Sequence, residues 1–325
     1  MSKKIYITRK IPETAMTMLT EKGFEVDVYQ KELAPSHKFL IKQLKKGKYD
    51  GIISLLTDAI DEKVLTASPN LKIVANYAVG YNNIDIQKTK DLGICVTNTP
   101  GVSSVAVAEH TMALMLALTT RIVEGDFFIT RLGKFKGWTP MNLLGTDLSG
   151  KTVGLIGLGN IGSRVAEMVH FGFNAKIIYH DVSKNEAVEQ KCNATYIESL
   201  SDLLAQADIV SLHVPLLDST HHLINEKTLK QMKPSAFLIN TSRGPVVDEK
   251  ALVSALKNKV ICGAGLDVFE FEPKLTPGLK NLKNIVLTPH IASARISVRE
   301  DMAKIAAQSI IDFFDGKVPG AQVNK

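Results

Sequence analysis

Thr152–Gly162 reads TVGLIGLGNIG: five mostly apolar residues, then Gly157-x-Gly159-x-x-Gly162. The first glycine permits a tight turn out of a strand, the second lets a pyrophosphate approach bare backbone, and the third lets the following helix pack close. Helix-start amides and the positive end of the helix dipole favour a phosphate there. A lone motif of this kind is weak, but its surroundings agree. Val153, Leu155 and Ile156 precede it as a strand-like run, and Ile161, Val165, Met168 and Val169 recur on one helical face. Lys176–His180 reads as the next strand, and Asp181 ends it, 19 positions after Gly162 (181 − 162). An acid placed so accepts hydrogen bonds from an adenosine ribose. The alternative is a strand–helix–strand unit whose glycine-rich turn holds no ligand. A carboxylate at Asp181 welcomes a 2′-hydroxyl and repels a 2′-phosphate, so the expected cofactor is NAD rather than NADP.

Working outward, the 325-residue chain is long enough for two domains, and 45% hydrophobic with 22% charged residues suits a globular protein with a full core. The formal charge is +6. Lys42, Lys45, Lys46 and Lys48 cluster, but without interleaved aromatics they read as a solvated face, so no nucleic-acid partner is expected. Cys95, Cys192 and Cys262 are widely spaced, which suits reduced thiols and no structural metal. The opening MSKKIYITRK has no signal-peptide core, and the apolar stretch Met112–Leu118 is too short to span a bilayer. No membrane association and a cytoplasmic location are expected.

Before the glycine motif, strands are expected at Ile5–Thr8, Phe24–Tyr29, Gly51–Leu55, Leu71–Ala75 and Ile94–Thr97, with helical stretches between them. This is a parallel α/β unit ending near the turn Thr99-Pro100-Gly101. Ser103–Ile129 reads as one long helix. Gly133–Gly145 follows as an irregular arm containing the only tryptophan, Trp138, which either packs under a loop or serves an interface or substrate wall. From 152 onward six strands are expected, at 152–156, 176–180, 208–212, 236–240, 261–266 and 284–288, the count of a full doubly wound dinucleotide-binding sheet. Ser297–Phe314 closes the chain as an amphipathic helix.

Ligands of open α/β sheets sit at the carboxyl ends of strands. Arg243, Glu272 and His290 each stand just past such an end. Reduction of a 2-oxo acid needs these parts: a cation to grip the carboxylate and polarise the carbonyl, a histidine to deliver a proton, and an acid to set the imidazole's tautomer. Singly, each has a plainer reading as a surface ion pair or a turn residue. His221 and His222 sit in a loop without a third ligand, which favours solvation over a metal site.

These residues lie in a series of longer motifs: NYAVGYNNID (76–85), NTPGVSSVAVAEHT (98–111), GKTVGLIGLGNIG (150–162), NTSRGPVVDEKAL (240–252), GAGLDVFEFEP (263–273) and TPHIAS (288–293). In that order they resemble the D-isomer-specific 2-hydroxyacid dehydrogenases over nearly the whole chain. The resemblance implies two doubly wound parallel-sheet domains with the active site in their cleft: a flavodoxin-like substrate domain, 1–100 plus 295–325, and a Rossmann cofactor domain, 101–294. It implies Arg243 as the substrate-binding arginine, His290 as the proton donor and Glu272 as the acid behind it. It places the substrate carboxylate at the backbone of Val79 and Gly80. Asn160, Ile161, Asp181, Val214, Thr241, Ser242 and Asp267 fall where the family contacts the dinucleotide, and His213 is placed nearby. A homodimer is implied as well.

Within the family, ISLLTDAID (53–61) and GWTP (137–140) look most like the glyoxylate/hydroxypyruvate reductase branch, with Leu55 and Leu56 walling a small pocket. Glu272 speaks against the formate dehydrogenases, which carry Gln there. Other D-2-hydroxy acids (D-lactate, larger 2-keto acids, 3-phosphoglycerate) remain alternatives for the substrate. A non-catalytic NAD-sensing role, like that of the related corepressors, is the alternative from another class.

Overall fold

The continuous apolar runs of the sequence become parallel strands buried on both faces, the pattern of sheets covered by helices on each side. The structure, a computed structural model, describes residues 2–325. The first unit carries β1 (Lys4–Ile7), α1 (Glu13–Glu21), β2 (Glu25–Val28), α2 (His37–Gly47), β3 (Gly51–Leu55), α3 (Glu62–Leu65), β4 (Ile73–Tyr77), α4 (Ile86–Asp91) and β5 (Cys95–Thr97). The second opens with α5 (Ser104–Thr119) and α6 (Ile122–Thr130). It continues through β6 (Thr152–Ile156), α7 (Asn160–Phe173), β7 (Lys176–His180), α8 (Glu186–Cys192), β8 (Thr195–Tyr196), α9 (Leu200–Gln206) and β9 (Ile209–Leu212). It ends with α10 (Glu226–Leu229), β10 (Phe237–Asn240), α11 (Glu249–Lys257), β11 (Gly263–Leu266) and β12 (Ile285–Leu287). The chain then returns to the first unit as α12 (Ile296–Phe314).

The first sheet has five strands in the order β2-β1-β3-β4-β5, all pairs parallel. β4 is its hydrophobic axis, with all of Ile73–Tyr77 buried. α12 turns Val298, Met302, Ala303, Ala306, Ala307, Ile310 and Ile311 inward. On the other side of the unit Leu40 and Leu44 of α2 are buried, while Lys42, Lys45 and Lys46 of the same helix face solvent.

The second sheet is also parallel, in the order β12-β11-β10-β9-β6-β7-β8, with one apolar cluster including Val210, Leu238, Leu252 and Leu256 and another including Leu114, Val153, Val165 and Tyr179. It has seven strands where six were expected, because the two-residue β8 pairs with β7. The expected helix over Ser103–Ile129 is two helices. Arg121 takes φ 57°, and Thr146 N–H donates to Thr119 O at 2.8 Å. That carbonyl is the one a continuing helix would use for residue 123, so the returning arm ends α5. The units meet in the chain at Ser103/Ser104 and Ser293/Ala294, a few residues past the expected turn at Pro100-Gly101, because β5 leads through a bend before α5 begins. Among the described residues no helix is long and apolar enough to cross a membrane, and no cluster of three or more His, Cys, Asp or Glu could hold a metal.

Candidate active site

β6, the glycine turn and α7 form the expected strand–turn–helix, and each glycine is required for its own reason. Gly157 has φ +94°, and a Cβ there would lie 2.8 Å from the His213 carbonyl carbon. At Gly162 a Cβ would meet Gly157 O at 2.2 Å, so helix and turn could not close. Gly159 is the opposite case, since a Cβ would meet nothing within 4 Å. Space was therefore not needed for the protein's own atoms, and the bare backbone faces an open surface. α8, α9, α10 and α11 are each capped by a side chain (Asn185, Ser199, Asn225 and Asp248), whereas Gly159 leaves the start of α7 with none. An uncapped helix start beside an open glycine is a seat for a phosphate, so these residues fit a dinucleotide. Asn160 and Ile161 form the first turn of that helix.

Asp181, at the end of β7, accepts from Leu158 N–H and Val182 N–H, each at 2.6 Å. Leu158 O is held by Ser163 Oγ and Asn185 Nδ2, both at 3.0 Å. The glycine turn is thus pinned from both sides, and the carboxylate keeps lone pairs for further donors. Val214 lies half-buried just after β9. Beside it, His213 bonds Ser211 Oγ at 3.0 Å, and burial pushes its imidazole down to about 4. Thr241 and Ser242 are buried with their hydroxyls engaged, by Thr111 Oγ1 and Asn240 Oδ1, both at 2.9 Å. Asp267 is fully buried. Its carboxylate accepts from Thr288 Oγ1, Ile291 N–H and Ala292 N–H at 2.6, 2.9 and 2.8 Å.

That last set shapes the turn carrying His290, a residue with φ 55° whose N–H donates to Asp267 O at 2.8 Å. The ring is held in turn: Nδ1 donates to Glu272 Oε2 at 2.9 Å, leaving Nε2 for a substrate. Glu272 Oε1 accepts Phe269 N–H at 2.9 Å. Burial by itself raises the Glu272 carboxyl, but the bond and charge of His290, the Phe269 amide and the Arg243 charge outweigh it, and the net shift is downward.

Arg243 follows β10 on a turn built by Asn240, whose Oδ1 accepts Ser242 N–H at 3.0 Å and whose Nδ2 donates to Arg243 O at 2.9 Å. The guanidinium donates through Nη1 to Ser242 O at 2.7 Å. Burial lowers its affinity for the proton, and the charge of Glu272 opposes that. A largely desolvated cation with spare donors and no ion pair among the described residues is suited to an anionic ligand. Gly244 lets this segment touch the next, since a Cβ there would lie 1.9 Å from the Phe269 carbonyl carbon. The structure thus brings Arg243, Glu272 and His290 together at the ends of β10, β11 and β12.

In the first unit, Leu55 is half-buried at the end of β3, and Leu56 is exposed. Val79 and Gly80 lie on the loop after β4. Asn76, Asn83 and Asn98, which hold these loops, were not singled out in the sequence. The signal that could have found them is an asparagine at or beside a strand's carboxyl end, repeated at Asn76, Asn98 and Asn240. His221 and His222 stack at 4.0 Å, and His222 Nε2 lies 2.9 Å from Glu270 Oε1.

Residues 112–292 match the family described as D-isomer specific 2-hydroxyacid dehydrogenase, NAD binding domain. The chain is 46% identical to a glyoxylate reductase of Thermococcus litoralis, over 100% of this chain and 98% of that protein. Among solved structures, a protein of Thermus thermophilus superposes with TM-score 0.91 at 40% identity, covering 98% of this chain and 99% of the other. An NADPH-dependent glyoxylate/hydroxypyruvate reductase from Sinorhizobium meliloti, in complex with NADP and malonate, superposes with TM-score 0.85 at 30% identity, covering 99% and 97%. The glycine turn, the His290–Glu272 pair and the full-length matches agree: this chain belongs to the D-isomer specific 2-hydroxyacid dehydrogenase family and is most like its glyoxylate reductase branch.

Proposed function

We propose that the protein is an oxidoreductase that reduces a small 2-oxo acid, glyoxylate or hydroxypyruvate, to the D-2-hydroxy acid with NADH. The observation that carries this reading is the 2.9 Å bond between His290 Nδ1 and Glu272 Oε2. It occupies Nδ1 and supports Nε2 as the ring nitrogen that faces the substrate. The bound dinucleotide supplies the hydride. Arg243 holds the substrate's carboxylate and draws charge onto its carbonyl oxygen. His290 Nε2 delivers the proton to that oxygen, and Glu272 stabilises the imidazolium before transfer. Val79 and Gly80 offer backbone amides to the substrate carboxylate, and Leu55 limits the side chain accepted.

Asp181 supports NADH over NADPH, since a 2′-phosphate would meet a carboxylate. The apolar side chains on α6 and the following arm support a homodimer, because so many large exposed apolar residues in one stretch of chain suit an interface. They include Ile122, Phe127, Phe135, Trp138 and Met141, at 60, 50, 62, 84 and 75% exposure. This exposure also removes the reading of Trp138 as a residue packed under a loop. The free thiols of Cys95, Cys192 and Cys262 fit the reducing cytoplasm.

The test is loss of absorbance by reduced nicotinamide with glyoxylate, hydroxypyruvate, pyruvate and phosphohydroxypyruvate, each against NADH and NADPH. Fast NADH oxidation with either of the first two supports the reading. Activity confined to another acid removes the pocket argument and keeps the triad. Silence throughout, with NADH bound, turns the reading toward a dinucleotide-sensing protein.

A further inference from the structure

Three successive carbonyls on the loop after β4 are all taken from within the first unit. Thr99 N–H donates to Ala78 O at 2.9 Å, Asn98 Nδ2 to Val79 O at 2.8 Å, and Asn76 Nδ2 to Gly80 O at 2.9 Å. In a planar trans peptide the next residue's N–H points opposite to the carbonyl. The amides of Val79, Gly80 and Tyr81 are therefore turned away from those donors, and none of the three has an acceptor among the described residues. Val79 and Tyr81 are 40% and 39% exposed. A run of N–H groups presented outward is a seat for an anion.

Two of the three groups that enforce this are side-chain amides, as the chemistry requires: a carbonyl can be held only by a donor, and a carboxylate of the same shape would repel it. Asn76 is 1% exposed. Its Oδ1 accepts from Ser54 Oγ at 3.0 Å and Asn83 Nδ2 at 3.3 Å, and its Nδ2 also reaches Asn83 Oδ1 at 3.2 Å. Asn83 Nδ2 donates as well to Asp58 O at 3.0 Å and Leu55 O at 3.2 Å. The turn after β3 is closed in turn by the buried Asp58, whose Oδ2 accepts Leu55 N–H at 2.8 Å. The loop carrying Val79 and Gly80 and the loop carrying Leu55 are thus one hydrogen-bonded body.

We infer that Asn76, Asn83 and Asn98 are positioning residues: Asn98 and Asn76 aim the amides of Gly80 and Tyr81 at the substrate's carboxylate, beside the Val79 amide set by the Thr99 N–H, and Asn83 locks that seat to the Leu55 wall. The inference rests on the reading of Val79 and Gly80 as the carboxylate's site. The seat holds a group that is charged in both ground and transition states, so its loss raises KM and spares kcat.

The experiment uses the full-length protein with Asn98→Ala, Asn98→Asp and Asn76→Asp. Steady-state kinetics with glyoxylate are paired with amide 1H–15N shifts during titration with oxamate. The expected result is a KM raised by about ten- to a hundredfold, the effect of losing one charge-assisted hydrogen bond. kcat stays within about threefold, as uniform binding requires, and NADH affinity is unchanged. In the wild type the Val79, Gly80 and Tyr81 amides shift with oxamate, and in the Asn98 variants the shifts need about ten- to a hundredfold more oxamate. Should Asn76→Asp fail to fold, the Asn98 pair decides the question. Wild-type KM in both Asn98 variants, or three amides unmoved by oxamate in an active wild type, overturns the inference. If the wild type reduces no 2-oxo acid but oxamate still moves those amides in an Asn98-dependent way, the proposed function falls and the positioning stands.

Discussion

Glu272 is pulled two ways. Burial favours its neutral acid, while His290, the Phe269 amide and Arg243 favour the carboxylate and prevail. A carboxyl whose folded value lies below its unfolded one adds stability that is present above the ordinary carboxylate range and is lost as pH falls through the folded value. The urea midpoint of Glu272→Gln should therefore lie below that of the wild type at neutral pH and converge with it on acidification below the ordinary carboxylate range. If His290 is the proton donor proposed, His290→Ala should lower kcat by about 10²- to 10⁴-fold, the usual worth of a positioned acid, with NADH still bound in a fluorescence titration. On the proposed reading Asp181 has two tasks, selecting the dinucleotide and holding Leu158 N–H at 2.6 Å, of which the second is a contact in the structure. Asp181→Ser should raise the NADPH/NADH ratio of kcat/KM and cost about 1 kcal/mol of stability for the lost backbone bond; an unchanged ratio would show that the acid does not discriminate. Leu55→Ala should shift the ranking of 2-oxo acids toward larger side chains, read as relative kcat/KM across the substrate panel.

The strand–turn–helix β6–α7 separates folding from binding, because its glycines meet different things. Gly159→Ala places a methyl in open space, so its melting temperature should match the wild type while its NADH Kd rises at least about tenfold, as expected for a blocked phosphate approach. Gly162→Ala drives a methyl against Gly157 O and should lose about 2 kcal/mol or more on denaturant unfolding, the range of an overpacked core. Equal behaviour of the two variants would remove this division of labour. Elements such as β6 and β7 were legible to the residue because long apolar runs announce them. The break between α5 and α6 was not. The sequence stays apolar through Ile122, Val123, Phe127 and Ile129, and what ends α5 is Thr146, far along the chain, taking the Thr119 carbonyl. β8 is two residues long, too short for any periodicity to register.

For the whole molecule, the exposed apolar face of α6 and its arm makes the sharpest demand. Sedimentation equilibrium should give a dimer for the wild type, and Phe127→Glu with Trp138→Glu should give a monomer whose units remain folded by circular dichroism. A monomeric wild type would remove the homodimer. The order of elements along the chain was readable from strand–helix rhythm and the terminal helix from its amphipathic period, whereas the late return into the first unit as α12 was what the family resemblance implied. The place where one unit gives way to the other was readable only to within a few residues, since a turn signal such as Pro100-Gly101 marks a change of direction and not a change of packing partner.

By itself the sequence determined what local patterns encode: two parallel α/β sheets, a glycine turn shaped for a dinucleotide, an acid at its second strand end, and Arg243, Glu272 and His290 beyond three others. These follow from backbone sterics and apolar periodicity, which act over a few residues. Only the tertiary structure decided that His290 meets Glu272, 18 positions away, and that Asp267 pins the turn beneath it. It also decided that asparagines 76 and 98, with the Thr99 N–H, hold three successive carbonyls of the loop after β4 and so turn the three following amides away from those donors. Hydrogen-bond partners are chosen by direction and distance in space, and that information enters only when the strands are set side by side.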